Sequence, residues 1–207
     1  MESDRRDSGS VITPRCAVVG VLGALLGVLT LVACTGRDTG GRDPADVAAR
    51  AIQAISLKDW SALAGLADPV HGVRFSPYAY VDTTAGVVLS SAEIAALGDG
   101  SQLRRWGTYD GSGEPIQLTV QAYFERFVCD RDFASAEPGP PNQRVGTGNT
   151  LNNIGQVYSG RDVLFFEYYL PGTEAYAGMD WRSLRLVLER RLGRWYLIGV
   201  VHDEWTI

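Results

Sequence analysis

The segment WGTYDGSGEP, residues 106–115, brings two acids, a serine and two aromatic residues together within ten positions. Its Asp110, Ser112 and Glu114 alternate as the first three ligands of a calcium-binding loop do. Such a loop also needs a glycine at its sixth position, where Pro115 stands, and an acid at its twelfth, where there is none. Asp-Gly and Ser-Gly pairs favour turns, and Pro115 argues against further helix or strand. We therefore interpret the segment as a turn whose acids and aromatics are candidates for the rim of a binding pocket.

The second candidate for chemistry is the segment VVHDEW near the end of the chain, where His202 stands beside two acids. A carboxylate–imidazole pair is what general acid–base catalysis needs. Alternation along a strand places His202 and Glu204 on one face and Asp203 on the other. A solvated strand end is the competing interpretation, and both stay open. The other histidine, His71 in DPVHGV, is interpreted as a loop residue.

Several catalytic and cofactor signatures are missing from the sequence. No Gly-x-Ser-x-Gly elbow occurs, and GTGNT at 146–150 lacks the lysine of a phosphate-binding loop. Cys129 has no neighbouring histidine, and no Cys-x-x-Cys pair suggests zinc. We expect Cys129 to be a small core residue, with a reactive thiol as the alternative. No catalytic residue, metal or cofactor is assigned; the candidate pocket residues are Tyr78, Trp106, Tyr109, Asp110, Glu114, His202 and Glu204.

The charge pattern excludes nucleic acid as a partner. The 207 residues include 19 Lys and Arg against 24 Asp and Glu, for a formal net charge of −5. No block of basic residues supplies the electrostatic footprint that phosphate backbones require.

The N-terminal region has the pattern of an export signal. CAVVGVLGALLGVLTLVA, from Cys16 to Ala33, is an uncharged apolar run that follows Arg15. It ends in LVAC, Leu31 to Cys34, which resembles the lipobox of bacterial lipoproteins. That resemblance implies cleavage before Cys34 and attachment of diacylglycerol to its thiol. The preceding region departs from the pattern because three acids offset its three arginines. An uncleaved membrane span is the alternative, and both interpretations place the following domain outside the cytoplasmic membrane.

The rest of the chain predicts an α+β domain. We expect a signal peptide over residues 1–33, a flexible tether over 34–44 and one domain over 45–207. Helices are indicated after Asp43, Ser90 and Thr119, each of which can act as an N-cap, and by the apolar spacing of DWSALAGLAD. The helix after Thr119 is expected to turn Val120, Tyr123, Phe124 and Phe127 inward. Strands are indicated by GVRFSPYAYVD, where Pro77 suggests an edge or a bulge, and by GVVL. DVLFFEYYL is typical of a central or covered strand. SLRLVLERR alternates, with Leu184, Leu186 and Leu188 on one side and Arg185 and Glu189 among those opposite, and it is expected to form a C-terminal hairpin with WYLIGVVHDEWTI.

The two ends of the domain, AARAIQAISLKDWSALAGLADP and LRLVLERRLGRWYLIGVVHDEW, resemble the NTF2-like superfamily. The resemblance implies N-terminal helices packed on a curved antiparallel sheet, with a pocket between them, and leaves residues 83–115 and 134–155 as insertions. The domain is also similar to bacterial envelope lipoproteins. The fold hosts enzymes, binding modules and docking domains alike.

We therefore expect a lipid-anchored, extracytoplasmic binding or accessory protein of the cell envelope. Its expected partners are the membrane, through Cys34, and an unidentified small molecule or envelope protein. One alternative is a pocket enzyme, isomerase- or hydrolase-like, that uses His202 with a carboxylate such as Asp110. The other is a docking scaffold that uses an exposed sheet face.

Overall fold

The computed structural model describes residues 40–97, 100–146 and 148–206. The predicted signal peptide, the lipidation site Cys34 and most of the predicted tether lie outside these residues. The described helices are α1 Pro44–Ser56, α2 Trp60–Leu66, α3 Ser91–Ala95, α4 Val120–Phe127 and α5 Ile154–Val157. The strands are β1 Val73–Ser76, β2 Val87–Leu89, β3 Arg104–Thr108, β4 Pro115–Leu118, β5 Val163–Leu170, β6 Arg182–Arg191 and β7 Arg194–Glu204. None of these helices is long and apolar enough to cross a membrane.

The helix caps predicted at Asp43, Ser90 and Thr119 are confirmed, and Asp59 is a further cap. Asp43, Asp59 and Thr119 each accept a hydrogen bond from a backbone N–H in the first turn of the helix that follows. Ser90 and Glu93 form a capping box, in which each side chain accepts from the backbone N–H of the other residue. The backbone N–H groups of the first helical turn have no acceptor within the helix. A capping side chain accepts from one of them and so stabilises the helix by about 1 kcal/mol.

The larger sheet has five strands in the order β2-β1-β7-β6-β5. Its pairings are antiparallel except for β1 and β7, which run parallel from Arg74 opposite Gly199 to Ser76 opposite Val201. The class is therefore α+β with a mostly antiparallel sheet, which confirms the predicted class and adds one parallel pair to the antiparallel sheet that was expected. The parallel pair arises because β1 and β7 are distant in sequence and are joined by the rest of the domain, not by a hairpin.

The inner face of this sheet carries the main hydrophobic core. Leu184, Leu186 and Leu188 of β6 are all buried, and α1 packs across them and across β7. The aromatic face of α4 lies in the same core, with Tyr123, Phe124 and Phe127 buried as predicted. Full burial of a large apolar side chain contributes about 1.5–3 kcal/mol, so this layer is the main source of stability.

The outer face is also buried, beneath residues 144–146 and 148–158. Its apolar residues are Val81, Ile154, Tyr158, Phe165, Val187, Ile198 and Val201. Within this layer the fully buried Arg185 donates from Nη2 to Glu167 Oε1 at 2.9 Å and to Asp203 Oδ2 at 2.7 Å. The alternation of β6 suggested that Arg185 stands opposite the leucines, and the structure adds that it lies in a closed ionic network.

The prediction of a covered strand is confirmed for β5. It lies at the edge of the sheet, but both of its faces are buried, with Phe166 and Tyr168 in the inner core and Phe165 in the outer layer. Two other strand predictions need correction. β1 is interior, because Pro77 only follows its last residue and removes no ladder hydrogen bond. Pro115 does not prevent a strand: it begins β4, the position in a strand where a missing N–H costs least.

Candidate functional site

The segment 106–115 forms most of a β-hairpin that makes one wall of a cavity. β3 and β4 pair antiparallel, and the turn between them closes through Tyr109 N–H donating to Glu114 O at 2.8 Å. Gly111 and Gly113 take positive φ angles of 83° and 71°, which explains the Asp-Gly and Ser-Gly pairs of the sequence. The turn itself is confirmed, but it joins two strands and does not merely end an element.

Trp106 anchors this wall to the core. Its ring stacks on Tyr123 with centroids 3.7 Å apart, and its Nε1 donates to Leu118 O at 3.0 Å. The side chain is almost fully buried, so Trp106 contributes a rigid wall and not an exposed aromatic contact. The hairpin is therefore held at a defined position relative to α4.

The opposite wall is the segment 76–82 that follows β1. Ser76 Oγ lies 2.9 Å from Tyr78 O and 2.8 Å from Tyr80 O, which folds the segment back on itself. Val81 is fastened by Asn153, whose amide oxygen accepts from Val81 N–H and whose amide nitrogen donates to Val81 O. Tyr78 is nearly buried against Phe127, whereas half of Tyr80 is exposed.

Between these walls lies a cavity of about 440 Å³, a volume typical of small-molecule sites. The tyrosines Tyr78, Tyr80 and Tyr109 supply aromatic surface, and Asp82 and Asp110 supply carboxylates. None of the described lining residues is a lysine or an arginine. The cavity therefore has an acidic and aromatic character, which suits ligands that carry positive charge or donate hydrogen bonds.

Both carboxylates are held in their ionised form. The hydroxyl of Thr206 donates to Asp110 Oδ2 at 2.7 Å and that of Thr150 at 2.9 Å, and these bonds lower the pKa of Asp110. The pKa of Asp82 is lowered by hydrogen bonds from Ala85 N–H and from Thr84, because charged acceptors strengthen such bonds. Asp110 also joins three separate segments at the cavity rim: the hairpin turn, Thr150 and the C-terminal Thr206.

Four of the seven predicted pocket residues line this cavity: Tyr78, Trp106, Tyr109 and Asp110. The other three do not. Glu114 is exposed at the far side of the hairpin turn, where its carbonyl closes the turn. His202 and Glu204 lie behind the wall, in a separate buried cluster.

That buried cluster contains His202, Asp130, Glu204 and two arginines. His202 Nδ1 lies 3.0 Å from Pro77 O and its Nε2 lies 3.4 Å from Asp130 Oδ2. Both partners are acceptors, so a neutral ring can donate to one of them only. The predicted alternation is confirmed, because His202 and Glu204 face the inner core and Asp203 faces outward. His202 is fully buried and borders no described cavity. Asp110, its suggested partner, instead accepts hydrogen bonds from the hydroxyls of Thr150 and Thr206.

Asp130, His202 and Glu204 could in principle hold a metal ion, since one ligand atom of each lies within 4.8 Å of the others. Arg182 Nε, however, lies 3.1 Å from both Asp130 Oδ2 and Glu204 Oε2, and Arg126 Nη2 lies 2.6 Å from Glu204 Oε1. Burial disfavours the charged form of Asp130, but the hydrogen bond and charge of His202, with Arg182 and Arg126, lower its pKa overall. Two guanidinium groups already neutralise the carboxylates, so the arrangement fits an ionic network better than a metal centre.

A second cavity, of about 460 Å³, lies on the outer face beside β5. It is lined by Arg144 and Arg161 together with Asn142 and Asn152. Both arginines are already bound to carboxylates, at 3.2 Å from Asp203 for Arg144 and in a bidentate pair with Glu189 for Arg161. None of the residues that line this second cavity belongs to the predicted pocket, so we treat the first, acidic cavity as the main candidate.

Sequence reasoning missed several residues of the candidate site. The cavity lining also includes Tyr80, Asp82 and Thr150. In the sequence, the only signal for these three residues is that they lie close to aromatic or turn residues. Asp130 follows Cys129 directly, and the run CDRD contained a visible signal in its two acids beside a helix end. Cys129 itself packs partly buried against the core, and burial raises its pKa to about 11, which suits the predicted core role.

No protein-family model and no curated protein matches this sequence. Among solved structures, the chain is similar to a crystal structure described as a calcium/calmodulin dependent protein kinase II association domain from Xanthomonas campestris. The match has 16% sequence identity and a TM-score of 0.32, and it covers 81% of this chain and 95% of that one. A likeness at this level carries no argument about function.

Proposed function

We propose that this protein is a lipid-anchored binding module of the bacterial envelope that holds a small molecule in the acidic, aromatic cavity between residues 76–82 and the β3–β4 hairpin. The observation that carries the proposal is the convergence of Asp82, Asp110 and three tyrosines on one cavity of about 440 Å³. The anchor is proposed from LVAC alone, with Cys34 as the acylated residue at the extracytoplasmic face of the cell membrane.

The NTF2-like architecture is part of the proposal. Its supports are the N-terminal helices packed on the sheet and the long β6–β7 hairpin whose last strand opens with Arg194 and Trp195. In such an arrangement a pocket is expected between the helices and the inner sheet face, whereas the cavity of this chain lies between residues 76–82 and the β3–β4 hairpin. Fold alone does not decide between binding and catalysis, so the lining residues must.

The ligand class follows from the lining. Two ionised carboxylates and no cationic side chain among the described lining residues favour a ligand with a protonated amine. The half-exposed ring of Tyr80 and the partly exposed ring of Tyr109 can pack against an alkylammonium group or a sugar ring. We therefore propose small amines and amino sugars as the ligands of this cavity.

The two alternatives have less support. A pocket enzyme would need His202 to reach the cavity, yet the Pro77 carbonyl lies between its ring and that space. A docking scaffold would need an exposed apolar sheet face, and residues 144–146 and 148–158 cover the outer face. Both remain predictions.

The test is calorimetric titration of the purified full chain with glucosamine and with N-acetylglucosamine, which has the same ring without the positive charge. We expect glucosamine to bind more tightly, and Asp110→Asn to weaken its binding about tenfold, the effect of losing roughly 1.4 kcal/mol from one charge-assisted contact. Glu114→Gln, an acid of the same turn outside the cavity, is the matched control and should leave binding unchanged. Equal losses in the two variants, or none in Asp110→Asn, would contradict the assignment of the cavity.

A further inference from the structure

The turn between β6 and β7 has an unusual residue at its tip. Arg191 pairs with Arg194, so Leu192 and Gly193 form a two-residue loop. Both have positive φ angles, 50° and 77°, the requirement of the type I′ turn that suits a tight hairpin. Asn-Gly is the preferred pair for this turn, because a side chain with a Cβ is disfavoured at positive φ. A leucine there costs about 1 kcal/mol of backbone strain relative to a residue that adopts the conformation freely.

Leu192 gains nothing from the folded domain in return. Its side chain is fully exposed, at 104% of the reference area, the largest value among the exposed hydrophobic residues. Val70, in the loop before β1, is 70% exposed and lies at the same end of the sheet, since its neighbour His71 and the nearby Asp68 both contact Arg191. A strained, solvated leucine next to an exposed valine indicates a contact outside the domain.

The tether enters the domain beside this turn. Gly41 N–H donates to Trp195 O at 3.0 Å, and Trp195 N–H donates to Gly41 O at 2.6 Å. Trp195 is three positions from Leu192 along the chain. Gly41 is seven positions after Cys34, and a fully extended chain of that length spans about 25 Å at most. A bilayer that holds acyl chains on Cys34 is therefore within short reach of the turn.

Four arginines lie close to the turn along the chain or on the tether. Arg42, Arg190, Arg191 and Arg194 lie on the tether or on the two strands that meet at the turn. Arg190 is bound to Asp162 at 2.7 Å with both side chains about half exposed, and Arg191 is bound to the buried Asp68. Such arginines can lay their alkyl chains along apolar surface and keep their guanidinium groups at phosphate level. The acids moderate the positive charge, so the contact is weak alone and depends on the high local concentration that a tether supplies.

We propose that the β6–β7 turn is a membrane contact: Leu192 and Val70 insert into the headgroup region of the anionic bilayer that holds the lipid on Cys34, with the nearby arginines at its phosphates. This inference rests on the proposed lipid anchor. The contact holds the sheet end against the membrane and leaves the cavity, formed at the opposite ends of β1 and β7, directed away from it.

The test uses photo-crosslinking in the full chain, reconstituted in vesicles of equal parts phosphatidylglycerol and phosphatidylcholine. Leu192→p-benzoylphenylalanine is compared with Leu57→p-benzoylphenylalanine as the matched control. Leu57 is also a well-exposed leucine, at 75%. It follows the last residue of α1, about 20 Å from the first residue of that helix, which is the end that adjoins the tether. We expect at least tenfold more lipid adducts at 192 than at 57, and several-fold fewer at 192 on vesicles of phosphatidylcholine alone.

A second variant tests whether lipid contact at Val70 depends on Leu192 in the turn. Val70→p-benzoylphenylalanine should also form lipid adducts, and the added Leu192→Asn should reduce them several-fold. Leu192→Asn is expected to fold at least as well as the parent, because asparagine suits the turn. Unchanged adducts at 70, or equal adducts at 192 and 57, would overturn the membrane contact.

The mass of the N-terminal peptide, measured on the same samples, tests the anchor separately. Diacylglycerol on Cys34 without an excess of adducts at 192 would refute the contact and leave the anchor standing. An unmodified Cys34 with the excess at 192 would refute the anchor and leave the contact standing.

Discussion

Replacing Arg185 with methionine tests the buried ionic network of the outer sheet face. Arg185, Glu167 and Asp203 all have fully buried side chains, and Arg185 Nη2 lies within 3 Å of both acids. Removing one member of a buried ion pair typically costs about 3–5 kcal/mol, because the partner charge stays buried without compensation.

The residual contacts of the two acids place the expected loss at the low end of that range. Without Arg185, Glu167 still accepts from the N–H groups of Val145 and Gly146, and Asp203 still lies 3.2 Å from Arg144. We therefore expect Arg185→Met to lower the free energy of unfolding by about 3 kcal/mol, or the melting temperature by about 6–12 °C for a domain of this size.

A matched control lies five positions along the same strand. Arg190 is bound to Asp162 at 2.7 Å, as close as Arg185 is to Asp203, but both partners are about half exposed. Solvent-exposed pairs contribute about 0–1 kcal/mol, so Arg190→Met should change stability little. Both variants are unfolded in urea and followed by tryptophan fluorescence. If Arg185→Met lost no more stability than Arg190→Met, burial would not determine the strength of these pairs and the reasoning would be refuted.

Two further predictions concern the loop over the outer face and the cavity rim. Gly146→Ala should lower the free energy of unfolding by about 1–3 kcal/mol, because the added methyl would lie 2.9 Å from Glu167 Oε1 and 3.0 Å from the Trp181 ring. The control is Gly155→Ala in α5, where an added methyl has nothing within 4 Å. In the same urea titration this control should be neutral or stabilising by up to about 1 kcal/mol. Stability should fall under acid conditions in part through Asp110: its pKa is lowered in the folded state, so its contribution is fully present above the unfolded pKa and disappears as pH falls through the folded one. Melting curves between pH 6 and about pH 2 should therefore show a shallower decline for Asp110→Asn than for the parent; identical slopes would show that the hydrogen bonds from Thr206 and Thr150 are not coupled to folding.

Local chemistry made the helices and the C-terminal hairpin predictable. Asp43, Ser90 and Thr119 are side-chain acceptors placed directly before apolar helical patterns, and all three cap helices. The alternating leucines of β6 likewise identified its core face. These signals depend on neighbours within one turn or one strand, where sequence spacing determines geometry.

Long-range pairings account for what the sequence did not reveal. The parallel contact of β1 with β7 joins Arg74 to Gly199, and no local pattern encodes such a partner. β3 and β4 were overlooked because glycine and proline, both poor strand residues, stand at Gly107 and Pro115.

The candidate site shows the same division. Tyr109 and Asp110 share one turn, so their proximity could be predicted, and Tyr78 joins them only through the fold. The carboxylate beside His202 turned out to be Asp130, 72 positions away, instead of the suggested Asp110. Glu167 is the one charged residue of β5, and its direct cross-strand register with Arg185 explains how both can be buried.

The central claim is that the cavity between residues 76–82 and the β3–β4 hairpin binds small amines. The most direct measurement is an amide chemical-shift map of the ¹⁵N-labelled full chain titrated with glucosamine. The account predicts the largest shifts at residues 78–82 and 107–113, and their loss in Asp110→Asn. Largest shifts in the arginine-lined cavity beside β5, or no saturable shifts at all, would contradict it.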